Sequence, residues 1–193
     1  FDTEPLSDWL PAGYIAKKQS DGSYKVAAMS DTDAKGLGYV ARNTTGTKQY
    51  FKTVQDALDA GVFSVYLLSG VNVVENCTMN AAGGITLSGY NSTFTGSLIC
   101  QEGWSITISS GVTAELSNVN CYELQIGSTA STTGQASTVT LKDGSVCKIT
   151  VANKNSLTIE GGAYTGAVDV KEGGTLSISG GTFSSNVSAY LAD

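Results

Sequence analysis

Residues 157–183 read LTIEGGAYTGAVDVKEGGTLSISGGTF. Leu157-Thr158-Ile159 is answered further along by Leu176-Ser177-Ile178. Each triplet runs through one polar residue into a glycine pair, and then into an aromatic, Tyr164 in the first case and Phe183 in the second. Strict alternation puts Leu157 and Ile159 on one face of a strand. A unit of about 20 residues cannot enclose a core of its own, so its apolar face has to be covered by the next unit.

The triplet recurs upstream as Val65-Tyr66-Leu67, Ile85-Thr86-Leu87, Ile106-Thr107-Ile108 and Val139-Thr140-Leu141. The steps from Val65 to Ile85 to Ile106, and from Val139 to Leu157 to Leu176, are nearly equal; the step from Ile106 to Val139 is the one long exception. That long step contains a further alternating run, ELQI at 123–126, and a polar stretch, GSTASTTGQAS at 127–137, so it holds either an additional strand or a loop budding from one turn. The period suits one coil of a parallel solenoid. Val146, Tyr164 and Phe183 occupy the same offset from the start of their triplets, and stacked coils bring them into one inward ladder. Glycine at the corners permits positive φ and close backbone approach. An antiparallel sandwich also uses short, regularly spaced strands, but it favours tight Asn-Gly hairpins, and residues 62–193 contain none. The expected fold is therefore an all-β, right-handed parallel β-helix of about six short coils over 62–193.

Residues 1–61 read as a cap. YIAKKQSDGSYKVA at 14–27 predicts a β-hairpin turning at Asp21-Gly22, and YVARNTTGTKQYF at 39–51 a second one turning at Gly46. KTVQDALDAG at 52–61 predicts a helix. Thr53 caps it, Asp56 complements its positive end, Gly61 stops it, and Val54, Ala57 and Leu58 form its apolar stripe. The intervening AMSDTDAKG reads as a polar link, with Asp31 and Asp33 too few for a calcium loop.

The two ends of the chain resemble each other. Phe1, Thr3, Glu4, Ser7, Trp9 and Leu10 align with Phe183, Ser185, Asn186, Ser188, Tyr190 and Leu191 once Leu6 is allowed as an insertion. The chain reads as one period of a tandem array, its first dozen residues being the tail of a preceding unit. A net charge of −6 with scattered basic residues argues against nucleic acid. The absence of His removes the commonest general base and the commonest transition-metal ligand. No apolar run is long enough to suggest a membrane span.

Cys77, Cys100, Cys121 and Cys147 follow one another at spacings close to the coil period. Cys100 and Cys121 share an offset from their triplets, so they form the one pair placed for a disulfide between coils; a ladder of buried thiols is the alternative. No Cys-x-x-Cys pair suggests zinc, and no cofactor is implied.

QYFKTVQDALDAGVFSVYLLSGV at 49–71 and SISGGTFSSNVSAYLAD at 177–193 resemble the β-helix entry and the repeat boundary of large adhesin-like surface proteins of Gram-positive gut bacteria. The resemblance extends over nearly the whole chain; its specific parts are the helix motif at 53–60 and the closure at 180–193. It implies a tandem-repeat protein outside the cell, wall-anchored through regions beyond this chain and contacting neighbouring repeat units. The implied role is non-catalytic recognition of a host macromolecule, such as a mucosal glycoprotein, a glycan or an immunoglobulin. It assigns no binding residue.

Two other functions fit the same fold. Polysaccharide lyases and hydrolases need clustered carboxylates on such a solenoid. Candidates are Glu102, Glu115, Glu123, Asp143, Glu160, Asp169 and Glu172, with Asp143 and Glu160 near the ends of successive strands; the one Arg, Arg42, lies in the cap. Six coils span only about 30 Å, little room for a polysaccharide cleft. A purely structural spacer is the third function. For binding, the candidate contacts are the aromatics Tyr90, Trp104 and Tyr122 together with loop 127–137, because aromatic rings give large contact area at small entropic cost.

Overall fold

The computed structural model describes residues 1–5, 9–80, 83–100, 103–128 and 134–191. Glu102 and the centre of loop 127–137 fall outside them.

The chain enters through an antiparallel hairpin of β1 (Tyr14–Lys18) and β2 (Tyr24–Ala28). Its turn follows from Asp21, whose carboxylate accepts the Ser23 amide at 2.9 Å, and from Gly22 at φ +86°. The expected polar link after it is instead a short helix, α1 (Asp31–Gly36). Ser30 and Asp33 exchange side chain-to-backbone hydrogen bonds in a capping box, which is what makes this short stretch helical. A second antiparallel pair follows, β3 (Ala41–Asn43) with β4 (Tyr50–Phe51), and then α2 (Val54–Asp59). Thr53 caps α2 through the Asp56 amide at 2.9 Å, and Gly61 ends it at φ +77°.

From residue 64 the chain winds as a parallel β-helix with three faces, six strands deep on each. We call these faces A, B and C, in the order the chain visits them. The first level is β5 (Ser64–Leu67) on A and β6 (Asn72–Met79) across B and C. β7 (Ile85–Gly89) and β8 (Ser92–Cys100) repeat the arrangement. β9 (Ser105–Ser109) opens the third level on A, and the long β10 (Val112–Ile126) runs through B and C and on to face A of the fourth. β11 (Thr138–Leu141) continues face B, and β12 (Gly144–Val151) crosses C and A. β13 (Ser156–Ile159), β14 (Ala163–Tyr164), β15 (Val168–Val170), β16 (Thr175–Ile178) and β17 (Thr182–Phe183) complete about five turns. Every pairing between levels is parallel.

Alternation points apolar side chains inward on each face, in files that run from level to level. On A it runs Val65, Leu87, Ile108, Ile126, Val151, Val170. On B it runs Val73, Phe94, Ala114, Val139, Leu157, Leu176, with the small Ala114 next to the large Phe94. On C, Met79 stacks on Cys100, and Cys121 on Val146, Tyr164 and Phe183, so the expected ladder of the last three is present. The Tyr164 and Phe183 rings stack with centroids 4.6 Å apart.

The registers also explain the long step between triplets. The first three triplets lie on face A and the last three on face B. Ile106 stacks on Leu124 of the ELQI run, and Val139 stacks on Ala114. The long step is therefore a change of face as well as an insertion, and ELQI at 123–126 is the additional strand, the end of β10 on face A. The corner between A and B carries a column of left-handed residues, which includes Asn91 (φ +49°), Ser110 (φ +57°) and Lys154 (φ +66°) beside glycines 70, 127 and 173.

The opening end of the solenoid is closed by the cap. β3 runs antiparallel along β5, and Val54, Ala57 and Leu58 of α2 are buried against the first level. Glu75 heads a second inward file of face B, in register with Gly96 and then Leu116, and its carboxylate accepts the Val54 amide at 2.8 Å. An inward charge at the first level is thus satisfied by a helix N-terminus. The Gln55 side chain acts as one more rung: its amide oxygen accepts the Thr78 N–H at 2.8 Å, and its amide nitrogen donates to the Thr78 carbonyl at 3.1 Å. Among the described residues, no helix is long and apolar enough to cross a membrane.

Candidate functional site

The three aromatics singled out in the sequence do not form one patch. Tyr90 sits on the A–B corner, half-exposed, where its carbonyl accepts the Gly70 amide at 3.2 Å. The described ends of the expected loop, 127–128 and 134–137, lie at that same corner, between β10 and β11. Trp104 and Tyr122 lie on the opposite corner, where face C turns into face A. They occupy adjacent levels: the Tyr122 amide donates to the Trp104 carbonyl at 2.7 Å. Trp104 is partly buried and packs against the core. Tyr122 is 49 % exposed.

The register that places Cys121 on Val146 and Glu123 on Lys148 sets Tyr122 directly over Cys147. These two residues share a groove of about 410 Å³ whose other walls are Gly103, Asn120, Cys121, Ser145 and Thr165. Asn120 and Ser145 are outward-facing partners in one ladder. The groove therefore offers one aromatic face, two hydroxyls and a carboxamide, on strands whose inward neighbours are buried. At its A side Lys148 pairs with Glu123 at 2.9 Å, and Thr150 donates to the same carboxylate at 3.0 Å. The hydrogen bond it makes to Glu123 raises the Lys148 pKa, so the ammonium stays charged.

All four cysteines are free thiols. Cys100 and Cys121 follow Ile99 and Asn120 in register and so stand on adjacent levels, but they are unlinked. Burial pushes Cys100 up to about 11 and, with Cys100 beside it, Cys121 up to about 12. Cys100 and Cys121 stand as two adjacent buried thiols, while Cys77 is in register with Leu98 and Cys147 with Tyr122, so neither joins their stack. Cys147 differs: it points outward and is only half-buried.

Most carboxylates of the solenoid already have partners. Glu115 pairs with Lys142, Asp169 with Lys171 at 2.6 Å, and Asp143 accepts the Gly144 amide at 2.8 Å. Asp143 and Glu160 do share a corner, between B and C, where the Glu160 amide reaches the carbonyl of Leu141. Among the described residues, no group of three or more Cys, Asp or Glu side chains is placed to hold a metal ion.

Two structural residues carry no motif that sequence reasoning could find. Asn155, buried at the base of loop 127–137, accepts the Ser137 amide at 2.8 Å and donates to the Asn153 carbonyl at 2.7 Å. Glu75 is the other. Each acts on a segment roughly one coil away in the chain, so only the coil register reveals its partner. Compared with known proteins, the chain matches no family model, no curated protein and no solved structure.

Proposed function

We propose that the chain is a non-catalytic extracellular recognition module of a tandem-repeat bacterial surface protein, and that it binds a host glycoprotein or its glycan through the groove at the C–A corner. The observation that carries this reading is the setting of Tyr122. A half-exposed aromatic stands on a rigid rung beside Asn120, Ser145 and Thr165. An aromatic face flanked by hydroxyl and amide groups suits a sugar ring, whose C–H face stacks while its hydroxyls hydrogen-bond. Ordering costs are small because the strands are already fixed. A catalytic reading has less support: Glu115, Glu123 and Asp143 are held by Lys or by a backbone amide.

The test is capture of mucin, matrix proteins and immunoglobulins by the isolated module, repeated with Tyr122→Ala. We expect saturable capture of a glycosylated ligand, weakened about tenfold or more by the substitution, with the melting temperature unchanged. Equal capture by both proteins moves the site away from this groove. Failure across the panel favours a spacer role, which the similarity of the chain's two ends also supports. Turnover of an acidic polysaccharide sinks the non-catalytic reading.

A further inference from the structure

Residues 1–10 echo the sequence of 183–191, and the structure gives the echo a physical setting. The amino group of Phe1 donates to the Tyr24 carbonyl at 3.0 Å, and the Tyr24 amide donates back to the Phe1 carbonyl at 2.7 Å. Phe1 thus adds one antiparallel rung to the outer edge of the β1–β2 hairpin. Trp9 lies in a 3₁₀ turn, as does its counterpart Tyr190 in the turn Ser188–Tyr190. The segment nevertheless lacks the support its counterpart has. Tyr190 packs on the core and Leu191 bridges Ile178, whereas Phe1 and Trp9 are 72 % and 77 % exposed.

Phe183 at the other end is placed to make the bond that Phe1 makes. Thr182 and Ser184 donate to the Gly162 and Tyr164 carbonyls, so the amide and carbonyl of Phe183 point the opposite way, along the far edge of β17. Among the described residues, Phe1, Trp9, Tyr14 and Leu37 at one end and Leu191 at the other make up most of the large exposed apolar side chains.

We infer that the far edge of β17 is a docking strand for a second copy of this chain, received by that copy's β1–β2 hairpin at Tyr24. Successive copies then join end to end through the Phe183–Tyr24 pair, and residues 1–5 and 9–10 occupy the place that their counterparts in 183–191 of a preceding copy take. The groove of about 320 Å³ between Pro5, Leu10 and the hairpin residues Tyr14 and Ile15 belongs to that junction. The inference takes up the array arrangement of the proposed function, yet it is independent of whether the Tyr122 groove binds anything.

The alignment of the two ends places Asp193 opposite Ala12, which sets the joining point for a linked protein at Gly13. The test is a linked protein in which residues 13–193 follow directly after the full chain. Amide exchange is read at Phe183 of the first copy, in the single and the linked protein, alongside small-angle scattering. We expect the Phe183 amide to exchange about tenfold more slowly in the linked protein, the effect of one added ladder bond of about 1.4 kcal/mol, and the scattering to fit one rigid rod. An unchanged Phe183 rate overturns the inference, as does scattering from two folded halves that tumble independently. Mucin or immunoglobulin capture by the single chain is unaffected by either result, so failure here is distinct from failure of the binding reading.

Discussion

Tyr164 shows how much one position has to satisfy in a stacked coil. Its ring covers Val146 on one side and Phe183 on the other, and its hydroxyl still needs a partner, which it finds by donating to the Gly161 carbonyl at 2.5 Å. Burial, with Asp143 nearby, pushes its phenol well above the ordinary tyrosine range. The cysteines of the same ladder obey the same rule without a hydroxyl to satisfy. Cys100 and Cys121 behave as small apolar residues, and burial holds them as thiols, whereas Cys147 is turned outward one position beyond the ladder. Reactivity follows thiolate population and access together. At pH 8 a thiol with a pKa of about 11 is ionised in only about one molecule in a thousand. A thiol-specific reagent at that pH should therefore label Cys147 first and label Cys77, Cys100 and Cys121 only as the protein unfolds. Mass mapping of the labelled sites checks this. Early labelling of Cys100 would mean that the ladder opens, and loss of two thiols together at Cys100 and Cys121 would mean that a bridge forms after all.

Among the elements, the cap depends most on charge. Asp31, the first residue of α1, binds Arg42 at 3.1 Å, Lys48 at 3.0 Å and the Tyr50 hydroxyl at 2.9 Å, tying the helix to both strands of the β3–β4 pair. Burial opposes ionisation of Asp31, but the hydrogen bonds from Lys48, Tyr50 and Arg42 outweigh it and lower its pKa. Hydrogen bonds from Lys17 and Ser30 hold Asp33 further down. Burial, then Asp31, pushes Tyr50 up to about 12. The signs oppose each other. The two depressed carboxylates contribute stability that is complete above about pH 4 and is lost as pH falls through their lowered values; Tyr50 contributes stability that is complete below about pH 10 and is lost as pH rises toward 12. Urea melts across pH should show a plateau between those limits, and Asp31→Asn should flatten both flanks. If the acid flank is equally steep in the variant, the carboxylates responsible lie elsewhere. These elements also show what a sequence reveals. α2 was legible whole, with its cap, stripe and stop, because all three are local to 53–61. α1 was not, because its capping box closes a helix too short for any apolar period to show. The triplets announced a solenoid but not which face each occupies, since Ile106-Thr107-Ile108 on A and Val139-Thr140-Leu141 on B have the same pattern. Tyr122 was legible as an aromatic; that it, and not Tyr90, shares a groove with Asn120, Ser145 and Thr165 is a property of register alone.

Taken whole, the molecule is a column whose levels touch only their neighbours, so its stability is a sum over interfaces and need not be uniform along the axis. The middle levels are covered on both sides: Phe94, Leu98, Leu116, Val119 and Leu124 have no exposure at all. The opening level is sealed by α2, Glu75 and the Gln55 rung. The closing level is not sealed to the same degree, since β15 is half-buried throughout and, among the described residues, β17 pairs only with β14. Stability therefore falls toward residue 191. Amides of β8 and β10 should exchange only through global unfolding, whereas those of β15–β17 should exchange through local fraying at lower free energy. The same gradient separates two similar substitutions. Leu116→Ala removes a side chain locked between levels and should cost about 2–5 kcal/mol of global stability, moving the whole urea transition. Leu176→Ala removes the same atoms from the last level, where fraying already competes, and should mainly speed exchange in β16 and β17 while the main transition moves less. Equal shifts for the two variants, or equal protection in β8 and β16, would mean that the column unfolds as one block and that its closing end is held as firmly as its middle.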